Sequence, residues 1–353
     1  MSKRTRLFLL ISAGVLVLGL GTGLLASYMG IQTLTIIGRD GPDELAYVPQ
    51  DSRLIAFANV RDVMDSELRR KFEELRPDRQ ATPGNNDFAA RTGIDIERDV
   101  DAVVASLGAS GDTQDQDMSR FLVLARGRFD QVRIRGLMLD QGGQTEQYKG
   151  KELLTATGDD HQIGLAFVES DLVAFGAAPA VRRAIDTKAG ANPDVTRNKE
   201  LMDIVRDIDD GNAWAVGRFD DLARTGRLPG ALAGQLPPIT WFAARGHING
   251  GVEGLLRAET SNEQAANDLK DVIRGFMALA RLQTRQNADL AAMLNSLQLG
   301  GDGKTVSLSF SVPSEVISAL AMMGRQRRNG PDVPGAPERP GRPARPGRPQ
   351  ASL

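Results

Sequence analysis

Residues Leu7 to Met29, LFLLISAGVLVLGLGTGLLASYM, run for 23 positions without a charge. At about 1.5 Å rise per residue a helix of that length spans roughly 34 Å, enough for the hydrocarbon core of a bilayer. The stretch therefore predicts a transmembrane anchor at 7–29 preceded by a basic cytoplasmic end at 1–6. A cleaved secretory signal is the competing reading. Its apolar run is usually shorter, about 7–15 residues, and ends at a small-x-small site. Gly21 and Gly23 form a tolerable site of that kind, Leu24 and Ala26 a poor one. Lys3, Arg4 and Arg6 stay in the cytoplasm by the positive-inside rule, so everything after Met29 is expected outside it. Tyr28 suits the outer interface, where amphipathic rings collect. Gly19, Gly23 and Ser27 recur every four residues, the spacing of a close helix–helix contact and of a homodimer through the membrane. Glycine is also frequent in membrane helices without any such contact.

Charge is divided along the chain in the same sense. The whole carries a formal −2, but residues 1–6 hold three cations and residues 325–353 hold seven Arg against Asp332 and Glu338, leaving a net −10 between. This is not the balance of a specific nucleic-acid binder, whose domain would be strongly basic. The absence of Cys removes disulfides, thiol nucleophiles and Cys-ligated metals. With only His161 and His247, a multi-His metal site is removed as well. No cofactor or metal is expected, and the chain is read as a non-enzyme.

At 353 residues the chain has room for about two domains. The segment 30–44 reads as a linker, 45–224 as a first α+β domain, 225–238 as a Gly/Pro-rich connection and 239–324 as a second α+β domain. In the first, Leu54–Val60, Val100–Leu107 and Phe121–Gly127 are apolar runs suited to buried strands. Ile163–Val168 and Leu172–Gly176 predict a hairpin, followed by a helix with Pro179 in its first turn and Gly190 past its end. Three times a strand runs into Asn or Gly, two residues and an Asp. Asp62, Asp130 and Asp220 are thus predicted helix N-caps, each accepting backbone N–H bonds at the positive end of a helix dipole.

In the second domain, Ile239–Gly246 and Val252–Glu259 predict another strand pair. Ser261 is the predicted cap of a long helix, with Gln264 completing a capping box. Thr305 to Val312, TVSLSFSV, alternates as a strand with one wet face. The fold class expected is α+β: antiparallel sheets with helices packed on one face, in two related halves, preceded by one transmembrane helix.

The last segment, 325–353, reads as a disordered tail. Pro331, Pro334, Pro337, Pro340, Pro343, Pro346 and Pro349 follow the three-residue period of polyproline II. Arg339, Arg342, Arg345 and Arg348 keep the same period and form a candidate anion-binding stripe. A solvated spacer is the simpler alternative.

Motifs of catalysis fail on inspection. Gly303-Lys304-Thr305 ends like a phosphate-binding loop, but Gln298 stands where its first Gly belongs and a strand follows it. Gly108-Ala109-Ser110-Gly111 is not a nucleophile elbow, because Asp112 takes the second Gly position. A calcium loop starting at Asp115 would need Gly at Arg120 and Glu at Arg126. Trp214 and Trp241 lie in apolar strands and read as core.

Several stretches, taken in order, carry a resemblance: YVPQDSRLIAFANVRDVMDS (Tyr47 to Ser66), RTGIDIERDVDAVVASLG (Arg91 to Gly108), FLVLARGRFD (Phe121 to Asp130), YKGKELL (Tyr148 to Leu154), FVESDLVAFGAAPAVRRAID (Phe167 to Asp186) and RNKELMDIV (Arg197 to Val205). The chain resembles uncharacterised exported or membrane-anchored bacterial proteins built from a domain of unknown function. The resemblance implies an architecture and no catalytic residues, and it leaves out the Pro/Arg tail.

The expected molecule is a single-pass protein of the bacterial cytoplasmic membrane with an extracytoplasmic, periplasmic body. Its partners would be the lipid bilayer through 7–29 and envelope proteins or anionic polymers through the tail, with no specific nucleic acid. The role expected is that of an interaction or scaffold module of the cell envelope. Two alternatives stay open: a carrier or sensor of a small apolar ligand, and a hydrolase built on paired carboxylates about 5–10 Å apart.

Overall fold

The structure, a computed structural model, describes residues 41–74, 93–108, 120–157, 162–219, 236–248, 250–283, 294–314 and 317. The expectations for Gly19, Gly23 and Ser27, for Asp220, for His161 and for the Arg stripe at 339–348 lie outside these residues. Among the described residues, no helix is long and apolar enough to cross a membrane.

Runs such as Leu54–Ala58 have no polar alternation, and they form strands that need cover on both sides. The described strands are β1 (Leu54–Asn59), β2 (Val100–Leu107), β3 (Phe121–Gly127), β4 (Gln144–Tyr148), β5 (Lys151–Thr157), β6 (Gln162–Phe167), β7 (Leu172–Ala177), β8 (Ala213–Arg218), β9 (Ile239–Ile248), β10 (Gly251–Thr260), β11 (Gln298–Gly300) and β12 (Thr305–Pro313). They make one antiparallel sheet in the order β11-β12-β10-β9-β8-β1-β2-β3-β7-β6-β5-β4. The fold is thus α+β, but the expected separate sheets are one. β8 and β9 lie on either side of segment 225–238 and pair directly, Ala213 opposite Gly246 and Val216 opposite Ala243.

The helices are α1 (Val60–Met64), α2 (Glu67–Glu74), α3 (Ile96–Asp99), α4 (Gln131–Asp140), α5 (Ala178–Lys188), α6 (Lys199–Arg206) and α7 (Glu263–Gln283). Directly opposed residues of neighbouring strands share a face, which separates the two sides of the sheet. Ile55, Val104, Leu122, Leu124, Trp214 and Val216 point to one side, where Val181 and Ile185 of α5 and Leu201, Met202 and Val205 of α6 join the main core. Val103 and Val123 point to the other, packed with Val60 and Met64 of α1 and Ile96 of α3. On that second side Leu68 of α2 meets Val252 and Val312, and Ala266 and Leu269 of α7 meet Val306. The expectation that helices cover one face only is therefore corrected. The central strands are apolar on both faces, and each face carries helices.

Both tryptophans are core residues, Trp214 at 3% and Trp241 at 5% exposure. The Trp241 indole N–H donates to Glu200 at 2.6 Å, so the buried ring leaves no polar atom unpaired. Thr305–Pro313 pairs on both edges, with β10 and with the short β11, and Gly301–Gly303 lies in the turn between β11 and β12. The stretch read as linker to residue 44 is folded at its end. Asp43–Tyr47 is a 3-10 turn in which Glu44, Leu45 and Tyr47 are buried.

Of the predicted caps, Asp130 accepts the Arg133 N–H at the start of α4. Two others move. The cap of α1 is Asn59, whose Oδ1 accepts the Asp62 N–H; Asp62 sits inside the first turn. Asn59 itself carries an acceptor, so the helix starts directly off β1. In the second copy of the motif Gly127 has none, and the chain runs on to Asp130. At α7 the cap is Asn262, which accepts the Ala265 N–H at 2.9 Å, not Ser261. The Ser261 N–H is bound to the Pro238 carbonyl and Thr260 to that of Lys304, which keeps the chain extended one residue longer. Replacing Asn262 by Ala is expected to cost about 1 kcal/mol of stability, and Ser261 by Ala only about 0.3 kcal/mol, in equilibrium urea unfolding. Equal losses would return the cap to Ser261.

Candidate functional site

The sequence-predicted site residues do not converge. Asp130 caps α4 and Asp62 lies in α1, where burial and the nearby Asp65 push its carboxyl above the usual range against an opposing hydrogen bond from Asn212. The acidic run Asp207, Asp209, Asp210 is absorbed by structure: Asp207 pairs with Arg257 and Asp210 with Arg245, tying the end of α6 to β9 and β10. Among the described residues, no group of three or more His, Asp or Glu is arranged to hold a metal ion.

A cleft of about 240 Å³ lies instead where four separate segments meet on the main-core side of the sheet. Its lining is Pro49, Ser52, Ser106, Gly108, Arg120, Leu122, Pro179, Ala180 and Arg183. Each wall has a local cause. Pro49–Ser52 is a tight turn closed by the Ser52 N–H on the Pro49 carbonyl. It is held from below by the Gln50 N–H on Pro193 and by the Asn198 amide on the Gln50 carbonyl. Ser106 and Leu122 sit opposite each other in the β2–β3 pair, and the Gly108 N–H binds the Arg120 carbonyl at the same end. The third wall is the start of α5. Its N-cap position is Ala177, which has no side chain that could accept a hydrogen bond, and Pro179 has no N–H to offer.

The polar groups of the cleft are hydroxyls and guanidiniums. Ser52 is 3% exposed, and its Oγ has no hydrogen-bond partner among the described residues. Ser106 is buried beside it. Arg183, one turn into α5, donates to Asp51 Oδ1 at 2.8 Å across the mouth and is half-exposed. None of the lining residues is a carboxylate. The hydrolase alternative, which needs two, finds no site in this cleft. The sequence offered one weak signal of it, a helix starting at Ala178-Pro179 without a capping residue ahead.

A second polar constellation stands nearby and is structural in character. Arg126, the last large residue of β3, is shared by Glu44, Glu169 and Asp171. The Tyr47 hydroxyl donates to Glu169 at 2.9 Å, and Lys188 lies 4.9 Å from the Tyr47 ring centroid. Burial and the carboxylate of Glu169 push the Tyr47 hydroxyl well above its usual range, so it remains a donor at any physiological pH. This cluster fastens the first 3-10 turn to β3 and to the β6–β7 turn.

No family model matches the chain, and no curated protein matches it. Solved structures of TP0453 are similar to it in the course of the chain. Crystal form III is 10% identical with a TM-score of 0.42, covering 80% of this chain and 98% of that one. Crystal form IV is 11% identical with a TM-score of 0.39, covering 79% and 96%. Nothing about function or site follows from a likeness of this degree.

Proposed function

We propose that the protein is a membrane-anchored, extracytoplasmic, non-enzymatic module of the bacterial cell envelope, holding its α+β body at the outer surface of the cytoplasmic membrane. One observation carries the reading: the uncharged Leu7–Met29 run behind Lys3, Arg4 and Arg6. A cleft lined by no carboxylate agrees with a binding or scaffold role better than with hydrolysis by paired carboxylates in that cleft. The partners this reading implies are the bilayer through 7–29, a second copy through Gly19, Gly23 and Ser27, and anionic envelope components through Arg339, Arg342, Arg345 and Arg348.

The test is a pair of reporters fused after Leu353 in a bacterial host. An alkaline phosphatase, active only outside the cytoplasm, is expected to be active. A cytosol-dependent reporter at the same place is expected to be silent, and N-terminal sequencing should find the chain uncut before Met29. Activity of the cytosolic reporter overturns the topology. A mature chain starting after the Gly21–Gly23 site overturns the anchor and leaves an exported soluble body.

A further inference from the structure

We infer that the cleft at the start of α5 is an anion site that takes a phosphate group. The inference goes beyond the proposed envelope role and holds whether or not residues 7–29 anchor the chain. Three independent features point the same way. The start of an uncapped helix of eleven residues forms one wall, through Pro179 and Ala180, and a helix start presents unpaired N–H groups and the positive end of its dipole. Ser52, almost wholly buried, is part of the same lining, its hydroxyl has no partner among the described residues, and a buried hydroxyl without a partner is costly unless a ligand or water completes it. Two guanidiniums, Arg120 and Arg183, complete the lining, and guanidinium suits phosphate oxygens in paired N–H contacts.

The size and the remaining walls narrow the ligand. About 240 Å³ is below the roughly 300–1,000 Å³ of pockets for drug-sized molecules, so the site fits a phosphate with at most a small substituent. Leu122, Pro49, Pro179 and Ala180 give it an apolar side against which a short carbon chain can lie. Asp51 engages a single nitrogen of Arg183, leaving the other N–H groups of that side chain for a ligand. The turn Pro49–Ser52, bound to Pro193 and Asn198, holds the backbone of Ser52 in place before any ligand arrives.

The phosphate can come from solution or from a lipid headgroup, and calorimetric titration of the full chain in a non-ionic detergent separates the two. One arm adds inorganic phosphate; the other adds phosphatidic acid in mixed micelles. Saturable 1:1 binding is expected for the parent. Ser52→Ala should weaken it about fivefold to tenfold and Arg183→Gln at least about tenfold, as expected for a neutral and a charged hydrogen bond. Without ligand, Ser52→Ala should melt no earlier than the parent, because it removes an unpaired buried hydroxyl, which distinguishes lost binding from lost folding. Phosphate binding alone assigns the site to free phosphates. Phosphatidic acid that binds and displaces phosphate assigns it to a lipid headgroup. No 1:1 binding in either arm, or equal binding by parent and both variants, overturns the inference.

Discussion

Replacing Arg126 by Met lowers the free energy of unfolding by about 3 kcal/mol, the loss expected when one partner of a buried ion pair is removed. Glu44 is only 4% exposed and its carboxylate is held by Arg126. Without the guanidinium it is left buried and charged, whereas Glu169 and Asp171 are exposed enough to turn to water. The figure sits at the low end of the range for buried pairs because Arg126 itself keeps a quarter of its surface in solvent. Removing both partners together, Glu44→Leu with Arg126→Met, is expected to recover at least half of the loss, since the unpaired charge and not the missing bond is the larger cost. Urea unfolding of the parent and the two variants measures this. A single variant within about 0.5 kcal/mol of the parent would mean that Glu44 finds solvent easily.

The same substitution changes the acid limb. The hydrogen bond from Arg126 holds the Asp171 carboxyl below its usual range. A folded pKa below the unfolded one contributes stability above about pH 4, lost as the pH falls through the folded value. The Arg126→Met variant lacks that contribution, so its stability should fall less steeply below about pH 4 than the parent's. Glu146, held low in the same way by Arg182, keeps part of the slope in both proteins.

Much of the sheet was written in local pattern. The apolar runs at Val100–Leu107 and Phe121–Gly127 coincide with β2 and β3, and Leu54–Val60 overlaps β1 to within a residue. The β6–β7 hairpin and the β9–β10 pair were equally plain from their alternation and turns. What local pattern missed has a common physical origin. β4, QTEQY, has no apolar face of its own, and it is a strand because it edges the sheet against β5. Its turn is visible only in hindsight: Lys149 and Gly150 both take positive φ, the backbone of a two-residue hairpin, and Gly at the second place is the sole hint. The caps slipped because a helix begins where tertiary hydrogen bonds release the chain, and those at Thr260 and Ser261 run to residues far away in sequence. The cleft was the least legible feature. Pro49, Ser106, Arg120 and Pro179 come from four segments whose approach depends on strand order, and strand order is not a local property.

Strand order also fixes the position least able to change. Gly176 in β7 lies opposite Leu122 of β3, at φ +154°, and a Cβ built on it falls 2.1 Å from the Phe121 carbonyl oxygen and 3.0 Å from the Phe121 carbonyl carbon. These are backbone atoms of the neighbouring strand, so no rotamer relieves the collision. Even Gly176→Ala must push β7 away from β3, and that pairing is what joins β7-β6-β5-β4 to the rest of the sheet. The expected loss is about 3 kcal/mol or more, at the upper end for overpacking in a well-filled interior. Gly190, past the end of α5, separates the two causes. It also has a positive φ, +80°, but nothing lies within 4 Å of its Cβ position. Gly190→Ala therefore carries backbone strain alone, about 1 kcal/mol. A thermal or urea melt in which the two variants lose equally would place the cost in the backbone conformation and not in the contact between strands. The contact has a further consequence at the cleft, because Leu122 of β3 and Arg120 just ahead of that strand form part of its wall. Gly176→Ala should accordingly weaken phosphate binding in whatever fraction still folds, while Gly190→Ala should leave it unchanged.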